Sequence, residues 1–241
     1  MALADDIATW IAAQVRGAGL TGAVVALSGG VDSAVVSGLC ARALGPENVL
    51  GLVIPIHSNT TDAEHGEETA RAWGIEFRTV DLSRVYDALT AALPPGSDLA
   101  NANIKPRLRM IALYHHANTL GRMVVGTGNR SELMVGYYTK YGDGGTDLLP
   151  IAGLFKWQVR ELARAIGVPP AIIEKPPSAG LWLGQTDEQE MGITYDELDR
   201  TLAAIDAGQE STIDAPVLER VRAMIRASEH KRHLPPIFTP T

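Results

Sequence analysis

A chain of 241 residues with 46% hydrophobic content can bury a substantial core, and its 21 basic against 28 acidic side chains leave a net charge of −7. That balance disfavours a nucleic-acid partner held by a broad basic surface, no apolar stretch is long enough to span a membrane, and a single cysteine excludes an internal disulfide. Residues 1–20 carry early acids and lack a basic start followed by an apolar signal core, so one cytoplasmic domain over residues 1–241 is expected, with a C-terminal helical extension.

The first patterned stretch, Ala23 to Leu27, is a short valine-containing run bounded by Gly22 and Ser28, which suits a buried strand. From Asp32 onward, Val35, Leu39 and Ala43, and beside them Val36, Cys40 and Leu44, recur at helical spacing. The unit is strand, glycine turn, helix. Such a turn leaves the first helical amides without partners and makes an anion site. Gly29 and Gly30 permit close approach, and Ser28 and Ser33 offer hydroxyls. Asp32 taken alone reads as a helix-start acid facing the dipole, with Ser28 or Asp32 as the cap. Beside a bound phosphate it needs a cation between, and a carboxylate with phosphate oxygens is the usual way to hold Mg²⁺. No lysine precedes Lys105, so the turn is not a P-loop of the kinase type.

Further on, 48–56 reads as a second strand, 62–74 as a helix, 75–80 as a third strand and 83–93 as a helix. Residues 94–103 form the clearest break. A helix over 104–120 leads into a strand over 122–127, and a helix over 156–166 ends at Gly167. After Pro176 come a long loop, helices near 194–207 and 215–229, and a proline-rich tail. The alternation predicts an α/β fold, a doubly wound parallel sheet flanked by helices, with ligands at the carboxyl ends of the strands. "LSGG" and "GTGNRSE" both fall there. Gly126 and Gly128 begin a GxGxxG pattern, but position 131 is Ser and no acid ends a following strand, which argues against a dinucleotide fold of that kind. Glu132 offers a second carboxylate for Mg²⁺. Cys40 and Trp157 are expected to pack, and the adjacent His115 and His116 face different ways and make a poor metal pair.

"SGGVDS" (28–33) resembles the pyrophosphate loop of the ATP-pyrophosphatase, or adenine nucleotide α-hydrolase, superfamily. With "NIKPRLRM" (103–110), "GTGNRSE" (126–132), "GYYTKYGDGGTDLLPI" (136–151), "LFKWQVRELA" (154–163), "KPPSAGLWLGQTDE" (175–188) and "EHKR" (229–232), in this order, most of the chain resembles the ammonia-dependent NAD⁺ synthetases. The resemblance implies amidation of deamido-NAD⁺ with ATP through an NAD-adenylate that ammonia attacks, giving NAD⁺, AMP and pyrophosphate. It also implies Mg²⁺, a homodimer with deamido-NAD⁺ near the subunit interface, and no glutaminase domain.

Position by position, the resemblance puts Ala26, Leu27, Ser28, Gly29, Gly30, Val31, Asp32 and Ser33 on the ATP phosphates, with Thr127, Lys156 and Ser178 as further ATP contacts. It puts Asp32 and Glu132 on Mg²⁺, and Arg107, Lys140, Asp147, His230 and Lys231 on deamido-NAD⁺. Two departures are Ser178, where many members have Thr, and Ala26, where glycine is frequent. The residue types suit the chemistry: departing pyrophosphate gains charge, so Asp32 and Glu132 through Mg²⁺, together with Lys156, form the catalytic group. The phosphates and nicotinate carboxylate give Arg107, Lys140 and Lys231 anionic partners. Asp143 and Asp147 are candidates for deprotonating ammonium, and Trp182 belongs to a loop that would act as a lid over the adenylate. Helix 104–120 has apolar residues beyond one stripe, including Ile111 and Leu113, which points to a second buried face at a dimer contact. Two alternatives are another amidotransferase or thiolase of the superfamily, which would share the loop but not the later motifs, and a non-catalytic adenine-nucleotide sensor.

Overall fold

The computed structural model describes residues 1–182 and 184–240. Its elements in chain order are α1 (Ala2–Gly17), β1 (Gly22–Ala26), α2 (Val31–Leu44), β2 (Val49–Val53), α3 (Thr60–Trp73), β3 (Glu76–Thr79), α4 (Ser83–Ala92), α5 (Asp98–Ala102), α6 (Ile104–Leu120) and β4 (Arg122–Val125). They continue with α7 (Arg130–Val135), α8 (Lys156–Ile166), α9 (Pro170–Ile173), α10 (Asp187–Met191), α11 (Tyr195–Asp206) and α12 (Ala215–Ser228).

The four strands form one sheet in the order β3-β2-β1-β4, and every pairing is parallel. Strand alternation divides the core in two. Ala23, Val25, Val49, Met123 and Val125 pack on one face with α1, α2 and α8, through residues such as Ile11, Leu39 and Leu162. Val24, Leu50, Leu52 and Val124 face the opposite way, against Leu113 and Ala117 of α6. Burial on both faces explains why β1 and β2 read as continuous apolar runs. The strand order reverses beside β1: α2 leaves β1 on one face, and α6 enters β4 from the other. The loops after β1 and β4 therefore part, and the crevice between them is where open α/β sheets bind ligands. A doubly wound parallel sheet flanked by helices is the fold expected from the sequence.

The C-terminal helices build a smaller core of their own, with Tyr195, Leu198 and Leu202 of α11 against Val221 of α12 and Val135 of α7. Three local differences from the sequence reading have simple causes. The second strand stops at Val53, since Pro55 has no amide to continue a ladder. The break at 94–103 contains α5, capped by Ser97, whose hydroxyl accepts from the Ala100 amide at 3.2 Å. In α6 the two faces are unequal, with Leu113 in the sheet core at 7% exposure and Ile111 open at 58%. Among the described residues no helix is long and apolar enough to cross a membrane.

Candidate active site

The glycine turn is fixed by close backbone approach. Gly29 has φ +75°, and a Cβ there would stand 2.3 Å from the Asp62 carbonyl oxygen, so only glycine fits. α2 begins after Gly30 with no capping side chain, because the two nearby hydroxyls turn to other partners. Ser33 Oγ donates to the Gly30 carbonyl at 2.9 Å and lies 3.1 Å from Ser28 Oγ. Neither Ser28 nor Asp32 caps the helix, contrary to the plainer sequence reading. The first amides of a 14-residue helix therefore face the crevice without a side-chain acceptor, which suits an anion.

Two acids meet there on one ammonium. Lys156 opens α8, and its Nζ lies 2.5 Å from Asp32 Oδ2 and 3.1 Å from Glu132 Oε1. Its backbone amide donates to Ser131 Oγ at 2.9 Å, and that hydroxyl donates to Asp199. Glu132 is placed by α7: the Asn129 side chain accepts from the Glu132 amide, and Glu132 Oε2 accepts from the Asn129 amide, a reciprocal cap. Asn129 also donates to Asp32 Oδ1 at 3.1 Å. Burial pushes the Glu132 carboxyl up to about 7, with Lys156 opposing and Asp32 and Asp187 adding to the rise. For Lys156, burial works against the charged form, but Asp32 and Glu132 more than offset it, so its pKa is raised.

Beyond these groups, Tyr195 OH lies 3.2 Å from Glu132 Oε1 and 3.0 Å from Asp187 Oδ2, and Tyr137 OH lies 3.0 Å from Asp187 Oδ1. Burial comes first in raising the Asp187 pKa, with Lys156 opposing. The donor set fits a small divalent cation. Two carboxylates from the first turns of α2 and α7, the helices that follow β1 and β4, share one cation position, now taken by an ammonium, and an oxygen-seeking Mg²⁺ completes such a set with phosphate oxygens and water.

A cavity of about 490 Å³ opens over this floor. Residues 26–32 line it except Gly29, and Thr127, Glu132, Lys156 and Ser178 line it too; Ser33 is buried behind the turn. Of the residues expected on deamido-NAD⁺, only Lys231 reaches the lining, with Nζ on the carbonyls of Gly136 and Tyr138 at 2.6 and 2.8 Å. Three more form a connected rim: Arg107 Nη2 donates to the Lys140 carbonyl at 3.3 Å, and Lys140 Nζ donates to the His230 carbonyl at 2.6 Å. Asp147 stands apart. Its carboxylate accepts from the Val124 amide at 2.9 Å and the Tyr114 hydroxyl at 2.8 Å, extending the end of β4, and it does not line the cavity.

Several groups in the cavity were not singled out by sequence. Arg109 donates Nε to the Ile54 carbonyl at 3.1 Å, whereas Asp143, one of the two acids named from the sequence for deprotonating ammonium, does line the cavity and accepts from the Thr139 amide at 2.9 Å. Asp62 and Lys175 form an ion pair, and Asp187 lines the wall with Glu190. Arg109 lies two places from Arg107 in "NIKPRLRM", and Lys175 and Asp187 lie in "KPPSAGLWLGQTDE", so the quoted motifs were the available signal. Trp157, expected to pack, is 46% exposed, and in the expected lid Trp182 is 47% exposed while Leu183 lies outside the described residues.

Fold and site together define a doubly wound α/β protein with an uncapped helix start, suited to an anion, at its switch point. More narrowly, the chain belongs to the NAD synthase family, whose sequence model matches residues 3–235. The NH3-dependent NAD⁺ synthetase of Archaeoglobus fulgidus is 48% identical over 235 residues, which are 97% of this chain and 94% of that one. Among solved structures, an NMN synthetase from Francisella tularensis superposes with TM-score 0.90 at 36% identity, covering 99% of this chain and 97% of that one. The NH3-dependent NAD synthetase of Campylobacter jejuni, solved with a nitrate ion, has TM-score 0.86 at 27% identity, covering 98% and 97%.

Proposed function

We propose that this chain is an ATP-dependent ligase that converts deamido-NAD⁺ to NAD⁺ with free ammonia, through an NAD-adenylate, releasing AMP and pyrophosphate. The observation that carries the reading is the meeting of Asp32, Glu132 and Lys156 at the uncapped start of α2. The nicotinate carboxylate attacks the α-phosphorus, the bond to the pyrophosphate oxygen breaks, and ammonia then displaces AMP from the acyl carbon. Both the attack and the departure crowd negative charge, and the helix amides with Lys156 stabilise it most in the transition state. Mg²⁺, held by Asp32 and Glu132 with phosphate oxygens, would add charge neutralisation. Arg107, Lys140, His230 and Lys231 make the deamido-NAD⁺ side of the site, and their rim position supports a long substrate lying partly at the surface. Asp147, tied to β4, is assigned to shaping that rim from behind.

The same reading makes the protein a cytoplasmic homodimer working as one domain over residues 1–241. Support for the dimer comes from exposed apolar side chains: α4 has no buried residue, and Val85, Leu89 and Leu93, Leu99 of α5 and Ile111 of α6 all stand open.

The likeness to an NMN synthetase favours a second substrate, nicotinate mononucleotide, in place of deamido-NAD⁺. One assay separates the readings. The protein is incubated with ATP, Mg²⁺, ammonium and either nicotinate compound, and the amide product, AMP and pyrophosphate are measured. NAD⁺ with stoichiometric AMP supports the proposal; a clear preference for the mononucleotide replaces it, and no ATP turnover leaves a nucleotide sensor.

A further inference from the structure

Lys175 follows α9 and reaches back into the glycine turn. Its Nζ lies 3.3 Å from the Gly29 carbonyl oxygen and is paired with the carboxylate of Asp62, in the first turn of α3. The two side chains are 22% and 27% exposed, and both line the cavity beside Ser28, Gly30 and Ser178. No step described above uses this pair. Asp62 does not depend on it either, since a carboxylate in the first turn of a 14-residue helix is favoured by the helix dipole and here keeps access to water. Lys156, the other ammonium at the turn, already faces two carboxylates. A triphosphate arriving at the free amides of α2 brings more negative charge than these cations neutralise, and a lysine with three donors on a flexible stem is suited to change partners without moving its backbone.

We infer that Lys175 is a further residue of the ATP-phosphate site, held beside the glycine turn by Asp62 and passed to a phosphate oxygen of ATP when the triphosphate enters the cradle. The exchange is favourable because a phosphate carries more charge than one carboxylate and accepts stronger charge-assisted hydrogen bonds. It costs little on the other side, since Asp62 returns to water and to the start of α3. The inference rests on the ATP site proposed above. The competing role is a latch in which the ion pair only ties the 175–182 segment to the turn.

Calorimetric titration with ATP and Mg²⁺, inorganic pyrophosphate and adenosine tests it on the wild-type chain and on Lys175→Gln, Lys175→Arg and Asp62→Asn, each checked by a melting curve. Lys175→Gln should weaken ATP and pyrophosphate on the order of 10-fold or more and leave adenosine within about twofold, and Lys175→Arg should recover most of the loss. Asp62→Asn, which frees the lysine, should hold or tighten pyrophosphate. Equal losses from Lys175→Gln and Asp62→Asn would establish the latch instead, and unchanged pyrophosphate binding by folded Lys175→Gln would also overturn the inference. If Lys175→Gln does not fold, Asp62→Asn decides alone, a loss of pyrophosphate affinity refuting and its retention supporting. A wild-type chain that binds neither ATP nor pyrophosphate refutes the ATP site itself and this inference with it.

Discussion

Asn129 donates its side-chain amide to Asp32 Oδ1 at 3.1 Å, joining the end of β4 to the start of α2 across the switch point. Its oxygen accepts from the Glu132 amide at 3.0 Å, so one fully buried residue sets the position of both acids. Asn129→Ala removes an N-cap and a bond to a carboxylate, and should cost about 2 kcal/mol of stability, together with at least a roughly 10-fold loss of turnover from misplaced acids. Urea melts and steady-state kinetics check the two parts. Wild-type values in both would show that the acids need no such support.

Asp32→Asn preserves size and removes one charge. Turnover should fall on the order of 100-fold or more, the usual loss for one electrostatic stabiliser, while the melting temperature stays close to wild type. More Mg²⁺ should be needed for half-maximal rate. A near-normal rate with unchanged Mg²⁺ dependence would leave Asp32 as an ordinary helix-start acid.

The unit β1, glycine turn and α2 was legible because its signals are local: an apolar run, two glycines, and helical spacing after Asp32. Lys156 meets Asp32 from 124 positions away, and no local pattern records such a meeting; only the family resemblance assigned it. Trp157 misled because α8 buries Lys156, Val159, Leu162 and Ala163, and its neighbour points away from that stripe. α5 was hidden by Pro94, Pro95 and Gly96, whose turn signals outweighed the capping serine just after them. Asp147 carried a binding role by resemblance, whereas its bonds to Val124 and Tyr114 depend on a chain path that the sequence does not reveal.

The pH dependence follows from Glu132. Burial pushes its pKa from 4.5 up to about 7, so between those values the folded state binds more protons than the unfolded state. Its contribution to stability is complete below the unfolded value and is lost as pH rises toward about 7. Glu132→Gln, neutral throughout, should therefore gain stability relative to wild type as pH is raised from about 5 to about 8 without added metal. Paired melting curves would refute this if the difference stayed constant or ran the other way.

Ammonia use can be tested through the single cysteine. Burial pushes the Cys40 thiol up to about 12, and the side chain is fully enclosed, so no thiolate is on hand to attack glutamine. A thiol reagent should label Cys40 only after unfolding. Glutamine without ammonium should yield no NAD⁺, and a rate matching that with ammonium would overturn the assignment.

The dimer proposal makes opposite predictions for two residues two places apart on α6. Leu113 packs against Leu50 and Val124 under the sheet, so Leu113→Asp buries a charge and should unfold the chain. Ile111 is 58% exposed on α6, which touches the unburied α4, and Ile111→Asp should give soluble monomers with a near-normal melting curve. A two-fold interface presents the same patch from both subunits, which doubles the effect of one substitution. Arg107 stands four residues before Ile111 and therefore on the same side of the helix, beside Lys140. Loss of the partner should for that reason weaken deamido-NAD⁺ on the order of 10-fold while ATP, bound at the glycine turn, is held as before. Sedimentation with ligand titration reads both halves. A wild-type chain that is monomeric at working concentration would remove the interface, and an Ile111→Asp monomer with full deamido-NAD⁺ affinity would separate the interface from the substrate site.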